Sequence, residues 1–329
     1  MSAVKEHTVA DADDGIRLDR WFKRHFPGVP HGLIEKNLRK GVIRVDGKKA
    51  KASDRVQAGQ AISVRDGIST NEKTPAPARV STHRDSAQIQ KWVLYKDAHI
   101  IVINKPPGLA VQGGNKITRS IDGMLDSLRF GEAERPRLAH RLDRDTSGCL
   151  VLARSAKAAA ALGKAFAGKD MEKMYVALVI GQPEPLAGKI DLPLLKKNNP
   201  LASGKPGGPE GRDYEIMQVD EEGQRAVTEY RTLDMLGGKF SLMELRPLTG
   251  RTHQLRVHMQ AIGCPIVGDH KYGGSTEQGE AIGVENKLHL HARRIAIPSI
   301  LGDKKVVVTA PLPEHMKNSF DALGLALSA

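Results

Sequence analysis

From Trp92 onward the chain carries eight short apolar runs, VLYKD, HIIVINK, CLVLAR, MYVALVIG, AVTEYRTLDML, FSLMELRPL, ARRIAIP and KVVVTAP, with few helical stretches between them. Runs of this length, rich in Val, Ile and Tyr, are strands. A doubly wound parallel sheet needs a helix after nearly every strand, because each parallel crossover takes a dozen or more residues. That alternation is missing. The expected fold is α+β, built on a mixed, largely antiparallel sheet. SAKAAAALGKAFAG and THQLRVHMQAIG have the Ala, Leu and Met content of helices, with Ser155 and Thr252 placed to cap them.

The stretch ISTNEKTPAPARVSTHRDSAQIQ lacks apolar periodicity and is rich in Ser, Thr, Pro and Ala, which marks a linker. The expected organisation is a small domain over residues 1–67, a linker over 68–90 and a large domain over 91–329. In the small domain, Leu18, Trp21, Phe22 and Phe26 fall at helical spacing, as do Leu33, Ile34 and Leu38. Ile43 and Val45, then Ile62 and Val64, alternate as strands do, and Asp46-Gly47 signals a tight hairpin turn. Within the large domain, residues 196–213, KKNNPLASGKPGGPEGRD, read as a long exposed loop.

Charge narrows the partners. The whole chain has a formal net charge of +12, and residues 15–66 hold 13 Lys or Arg against 5 Asp or Glu, a surplus of eight. A solvated helix face would mix the signs. Lys36, Arg39, Lys40, Arg44, Lys48 and Lys49 instead concentrate one sign around the second helix and the hairpin, the footprint of an RNA-binding surface. The two cysteines, Cys149 and Cys264, sit apart in apolar surroundings, which fits reduced thiols in a cytoplasmic protein. The N-terminus has no apolar signal core, and no run approaches the roughly 18 apolar residues of a membrane span.

The densest chemistry lies in HRLDRDTSG, residues 140–148. Arg141, Arg144 and His140 offer cationic neighbours to Asp143, an environment that favours an ionised carboxylate. The plain alternative is a charged loop closed by Asp145, Thr146 and Ser147. An aspartic-protease turn fits poorly, because in Asp145-Thr146-Ser147-Gly148 the Gly falls one position late and no second copy of the tetrapeptide appears. Five histidines, at 253, 258, 270, 289 and 291, invite a metal reading. His253 and His258 are five apart, however, not the four that put two ligands on one helix face, so no metal site is expected.

A second constellation, LRPLTGRTHQLRVHMQAIGCPIVGDHKYG, residues 245–273, puts Arg251 at the mouth of a helix and Arg256 one turn further in. A guanidinium there can meet a carboxylate bidentately, and Arg251 is the expected partner of Asp143. The alternative is a helix-entry salt bridge without catalytic value. Tyr175, opening YVALVIG, is either core filler or a stacking face for an extruded base. The two prolines and glycine of NKPPG, residues 104–108, read as a stiff turn.

Taken together and in this order, NKPPG, HRLDRDTSG, KMY and TGRTHQLRVH resemble the RluA family of pseudouridine synthases across nearly all of the chain beyond Trp92. RLDRWFKRHF and LIEKNLRKGVIRVDGKKAKASDRVQAGQAISV resemble an S4 RNA-binding domain, departing from it at His31-Gly32, where a basic residue and a capping Ser are usual. Within the family, LRKGVIRVDGKK and VLARSAKA are most similar to the RluC type, which acts on large-subunit ribosomal RNA; Gln112 stands where that type usually has His. The resemblance implies that Asp143 is the catalytic aspartate, that Arg141 enters the RNA where uridine is flipped out, that Tyr175 stacks on uracil, and that Arg251 pairs with Asp143. It implies RNA as partner and no cofactor, since isomerisation oxidises nothing; neither DNA nor a membrane is expected as a partner, and a monomer is the default expectation. A non-catalytic RNA-binding or ribosome-assembly factor, or a synthase acting on another RNA such as tRNA, is the alternative.

Overall fold

The computed structural model describes residues 4–26, 28–65, 83–113, 119–168, 170–198, 215–274, 277–302 and 304–327. The chain divides into two compact units, Met1–Val80 and Ser81–Ala329. Most of the expected linker, and the expected loop from residue 199 onward, lie outside the described residues.

In the first unit, strands β1 (Val4–Thr8), β2 (Ile43–Val45), β3 (Lys48–Lys49) and β4 (Ala61–Arg65) form one sheet in the order β1-β4-β2-β3. Helices α1 (Leu18–His25) and α2 (His31–Lys40) supply Leu18, Trp21, Phe22, Ile34 and Leu38 to a core shared with Ile43 and Ile62. Asp46 and Gly47 both have positive φ, 48° and 72°, the twist that a two-residue hairpin turn requires. α2 starts after Pro30 with no side-chain cap, and Gly32 lies inside the helix rather than at the cap position expected of it. Lys36, Arg39, Lys40, Arg44, Lys48 and Lys49 are all exposed, but Arg44 is partly committed: its guanidinium donates to the carbonyls of Gly41 and Gly47.

In the second unit, α3 (His83–Lys91) is part of the folded body, so the linker ends before residue 83 rather than at 90. A single apolar anchor, the fully buried Ile89, holds this polar helix, too little periodicity to be legible in sequence. Strands β5 (Val93–Lys96), β6 (Ile100–Lys105), β7 (Arg137–Leu138), β8 (Ser147–Ala153), β9 (Glu172–Ile180) and β10 (Ala187–Asp191) join one large sheet. A separate hairpin pairs β11 (Leu194–Asn198) with β12 (Glu215–Val219). Residues 196–198 are therefore strand rather than loop. β13 (Val227–Leu236), β14 (Phe240–Pro247), β15 (Leu290–Ile297) and β16 (Val306–Thr309) complete the large sheet.

Its central order is β10-β13-β14-β9-β15-β8-β6-β5, and within this sheet, among the described residues, only the β15–β8 pairing is parallel. The mixed, largely antiparallel α+β architecture matches the expectation. Its central strands are buried on both sides. Val102 and Val151 face Ala158 and Leu162 of α5 (Ala156–Gly168), while Ile101, Ile103, Leu150 and Leu152 face α3 and α4 (Ile121–Met124). β9 and β14 are likewise covered, by α6 (Gln254–Ala261) on one face and, beyond the short α7 (Glu277–Glu280), by α8 (Glu314–Leu323) on the other. Double coverage explains the unbroken apolar runs. Cys149 and Cys264 are free and buried, and burial pushes the Cys149 thiol up to about 12.

Candidate active site

The loop before β8 carries the charged stretch, and two contacts fix it. Gly148 has φ +106°, and a Cβ there would lie 2.3 Å from the Ala292 carbonyl oxygen, so only glycine lets β8 approach β15 this closely. Lys105, wholly buried at the end of β6, donates its ammonium to the carbonyls of Pro106, Leu109 and Arg144 at 2.9, 2.9 and 2.8 Å. That last bond staples the backbone next to Asp143 to the sheet. Burial pushes the Lys105 amine down to about 7, opposed by the charges of Asp145 and Asp143. NKPPG is thus more than a stiff turn. Pro106 and Pro107 have no N–H with which to satisfy nearby carbonyls, and the lysine does so instead.

The expected cationic neighbours of Asp143 are differently employed. His140 accepts a hydrogen bond from the Val151 N–H and stacks on Phe166, and burial holds it down to about 3, so it is neutral. Arg144 is exposed and pairs with Asp145 at 3.3 Å. Ser147 donates to His291 Nδ1 at 2.8 Å, whose Nε2 donates to the Ala310 carbonyl.

The opposing wall is built by α6 and the loop after it. Arg256 places Nη1 3.5 Å from Asp143 Oδ2, while its Nε and Nη2 grip both oxygens of Asp269 at 2.6 and 2.7 Å. Asp269 has no exposed side-chain surface. It sits next to Gly268, which has φ +73° and where a Cβ would lie 1.9 Å from the Lys287 carbonyl oxygen, so no side chain is admitted. The partner of Asp143 is therefore Arg256, not Arg251. The reason is local: His253 adopts φ +53°, so the helix begins at Gln254 and turns Arg256 inward. Arg251 is exposed and its Nε donates to the Arg225 carbonyl at 3.1 Å. Nor does Thr252 cap the helix. Gln254 Oε1 instead accepts from the Arg251 N–H and the Thr249 hydroxyl.

His253 Nε2 lies 3.9 Å from Asp143 Oδ2, and its Nδ1 is 2.7 Å from the Tyr272 hydroxyl. Burial holds His253 down to about 4 despite Asp143. His258 bonds to Thr228 and the Leu192 carbonyl instead, so the two histidines share no ligand point. Among the described residues no cluster of His, Cys, Asp or Glu is arranged to hold a metal ion.

These walls enclose a cleft of about 940 Å³, lined by Arg141, Asp143, Tyr175, Arg251, His253 and Arg256. All four residues expected at the site thus share it, with Arg141 exposed at its surface and Tyr175 half-buried at the start of β9. Burial raises the Tyr175 phenol, with the Asp143 charge adding to it, so the hydroxyl stays protonated. The cleft offers a carboxylate, a fixed guanidinium, a phenol ring and an exposed surface guanidinium, a set suited to an anionic, flat substrate. Sequence reasoning gave Asp269 and Tyr272 no role, took Lys105 only as part of a turn, and weighed His253 only as a metal ligand. For Asp269 and Tyr272 the available signal was GDHKYGG, glycines bracketing an acid and an aromatic.

Comparison with known proteins bears on this arrangement directly. The pattern of the RNA pseudouridylate synthase family matches residues 99–261, which include Lys105, Asp143, Tyr175 and Arg256. Ribosomal large subunit pseudouridine synthase C of Rickettsia typhi is 36% identical over 91% of this chain and 94% of its own length. The chain belongs to the RNA pseudouridylate synthase family. RNA pseudouridine synthase 4, mitochondrial, of Arabidopsis thaliana is 37% identical, over 92% of this chain and 78% of that one. The solved structure of human RNA Pseudouridylate Synthase Domain Containing 4 superposes with a TM-score of 0.61 at 30% identity, covering 74% of this chain and 97% of the human one. The family's synthase fold is the sheet described above. In this pseudouridylate synthase, no helix among the described residues is long and apolar enough to cross a membrane.

Proposed function

We propose that this pseudouridylate synthase converts uridine to pseudouridine in large-subunit ribosomal RNA, in the cytoplasm, with Asp143 as the catalytic residue. The reading of the substrate is supported by relatives named for the large ribosomal subunit that match over nine-tenths of the chain. The observation that carries the chemistry is the carboxylate of Asp143 at the cleft, 3.5 Å from a guanidinium that a buried aspartate holds still.

Isomerisation breaks the bond from C1′ to N1, turns the uracil, and joins C5 to C1′; the C5 hydrogen leaves as a proton and N1 regains one. No electrons are gained or lost, so this chemistry needs no cofactor. Asp143 acts as a nucleophile at C1′ or as a base at C2′. The nucleotide has to leave its stack, at a cost of a few kcal/mol, and Tyr175 offers a ring for the uracil while Arg141 fills the vacated space. Arg251, at the rim, meets the RNA backbone rather than Asp143. The first unit, read as an S4 domain, holds phosphates through Lys36, Arg39, Lys40, Arg44, Lys48 and Lys49. The buried, unpaired thiols fit a reducing compartment.

The test is Asp143→Asn, assayed by carbodiimide labelling and primer extension on ribosomal RNA. Pseudouridine formation is expected to disappear while RNA affinity holds. Turnover within about tenfold of the parent, a loss of only about 1.4 kcal/mol, removes Asp143 from the role.

A further inference from the structure

One polar chain runs from outside the cleft to the oxygen of Asp143. The backbone N–H of Met217, on β12, donates to the Tyr272 hydroxyl oxygen at 3.1 Å. The same hydroxyl is 2.7 Å from His253 Nδ1, and His253 Nε2 is 3.9 Å from Asp143 Oδ2. Tyr272 is 3% exposed, so its hydroxyl hydrogen has to find an acceptor inside the protein. With Met217 already donating to the oxygen, the arrangement that satisfies every group sends the tyrosine proton to Nδ1. The imidazole is then protonated on Nε2, the nitrogen that faces the carboxylate.

The backbone agrees with a dedicated role. His253 sits at φ +53°, in the left-handed region that residues other than glycine rarely adopt, and it is the residue from which α6 departs. That conformation aims the ring at Asp143 and away from the helix. Arg256, Asp269 and Lys271 also face the ring, and burial keeps it uncharged near neutral pH.

We propose that His253 is a positioning residue for Asp143: fixed by Tyr272 as the Nε2–H form, it donates to a carboxylate oxygen and, with Arg256, sets which oxygen faces the ribose. This rests on the role given to Asp143 above. At 3.9 Å the contact is long for a hydrogen bond, and it shortens when a nucleotide displaces water from the cleft.

Two substitutions separate the donor from the tyrosine contact. His253→Asn keeps an acceptor near the position of Nδ1 and loses the reach to Asp143. His253→Gln keeps an N–H near the position of Nε2. With a transcript of large-subunit ribosomal RNA tritiated at uridine C5, kcat is expected to fall roughly 10- to 100-fold for His253→Asn, with KM within about threefold, and to recover most of that in His253→Gln. Equal rates in the two variants overturn the proposal. A second readout needs no activity: the 15N spectrum of imidazole-labelled protein is expected to show a neutral His253, assigned by its loss in His253→Gln, carrying its proton on Nε2. In Tyr272→Phe that preference weakens. A cationic or Nδ1-protonated His253 in the parent overturns the proposal even if Asp143 keeps its role, whereas a parent that releases no tritium but shows the Nε2–H form refutes the substrate reading alone.

Discussion

Arg256→Met tests whether the guanidinium has two separable duties. Its removal leaves the Asp269 carboxylate, which has no exposed side-chain surface, without the two bonds at 2.6 and 2.7 Å that hold it. Deleting one partner of a buried pair costs about 3–5 kcal/mol, because the surviving charge is stranded. For a unit of this length each kcal/mol moves Tm by about 2–4 °C, so Arg256→Met is expected to melt roughly 6–20 °C below the parent by differential scanning calorimetry. Combining it with Asp269→Asn removes the stranded charge while an amide oxygen still accepts from the Lys271 and Tyr272 N–H groups. The double variant is therefore expected to regain most of the lost Tm. Its uridine isomerisation is expected to stay down by about 100-fold or more, because Asp143 still lacks its fixed cation. Recovery of activity together with stability would refute the second duty, and a single variant melting within about 2 °C of the parent would refute the first. Arg251→Ala loses one exposed carbonyl contact and should leave Tm unchanged.

Gly148→Ala forces a Cβ to within 2.3 Å of a backbone oxygen at φ +106°, and strain plus overpacking of about 2–6 kcal/mol predicts a Tm loss of at least about 4 °C; a parent-like melt contradicts the close approach of β8 to β15. Burial holds His289 and His291 down to about 4, below their value of about 6.5 in an unfolded chain, so the unfolded state binds more protons between these limits. Stability should accordingly be lost as pH falls from about 6.5 towards 4, and the fall should be smaller in His291→Gln; an identical pH dependence of Tm counts against it. Replacing Lys36, Arg39 and Lys40 together by Gln should reduce the salt slope of RNA binding by about 2, while an unchanged slope removes the phosphate-binding role of α2.

Much of this molecule could be read from residue patterns because its cues are local. Asp46-Gly47 demands a particular turn, Ser155 caps α5 by accepting from the Ala158 N–H, and the apolar runs become doubly covered strands. The polar edge strands β10, β11 and β12 carry no such signal, since exposed side chains leave no periodicity. The candidate site divides in the same way. Asp143 announces itself by the charge around it, yet its true partner depends on one left-handed residue that rephases the start of α6. Spacing along the chain cannot show that rotation. Lys105 meets Arg144 across 39 positions of sequence, and Arg256 meets Asp269 through a glycine-bounded loop, so both depend on tertiary closure.

The parallel junction between β8 and β15 has a mechanical consequence. It joins two blocks that are each knit by antiparallel ladders, β10-β13-β14-β9-β15 on one side and β8-β6-β5 on the other. Asp143 and its lysine staple ride on the second block, whereas Tyr175, Arg256 and their supports belong to the first. The seam therefore sets the span between the Asp143 carboxylate and the Arg256 guanidinium, and the close packing of Gly148 on Ala292 with the Ser147–His291 hydrogen bond across it holds that span.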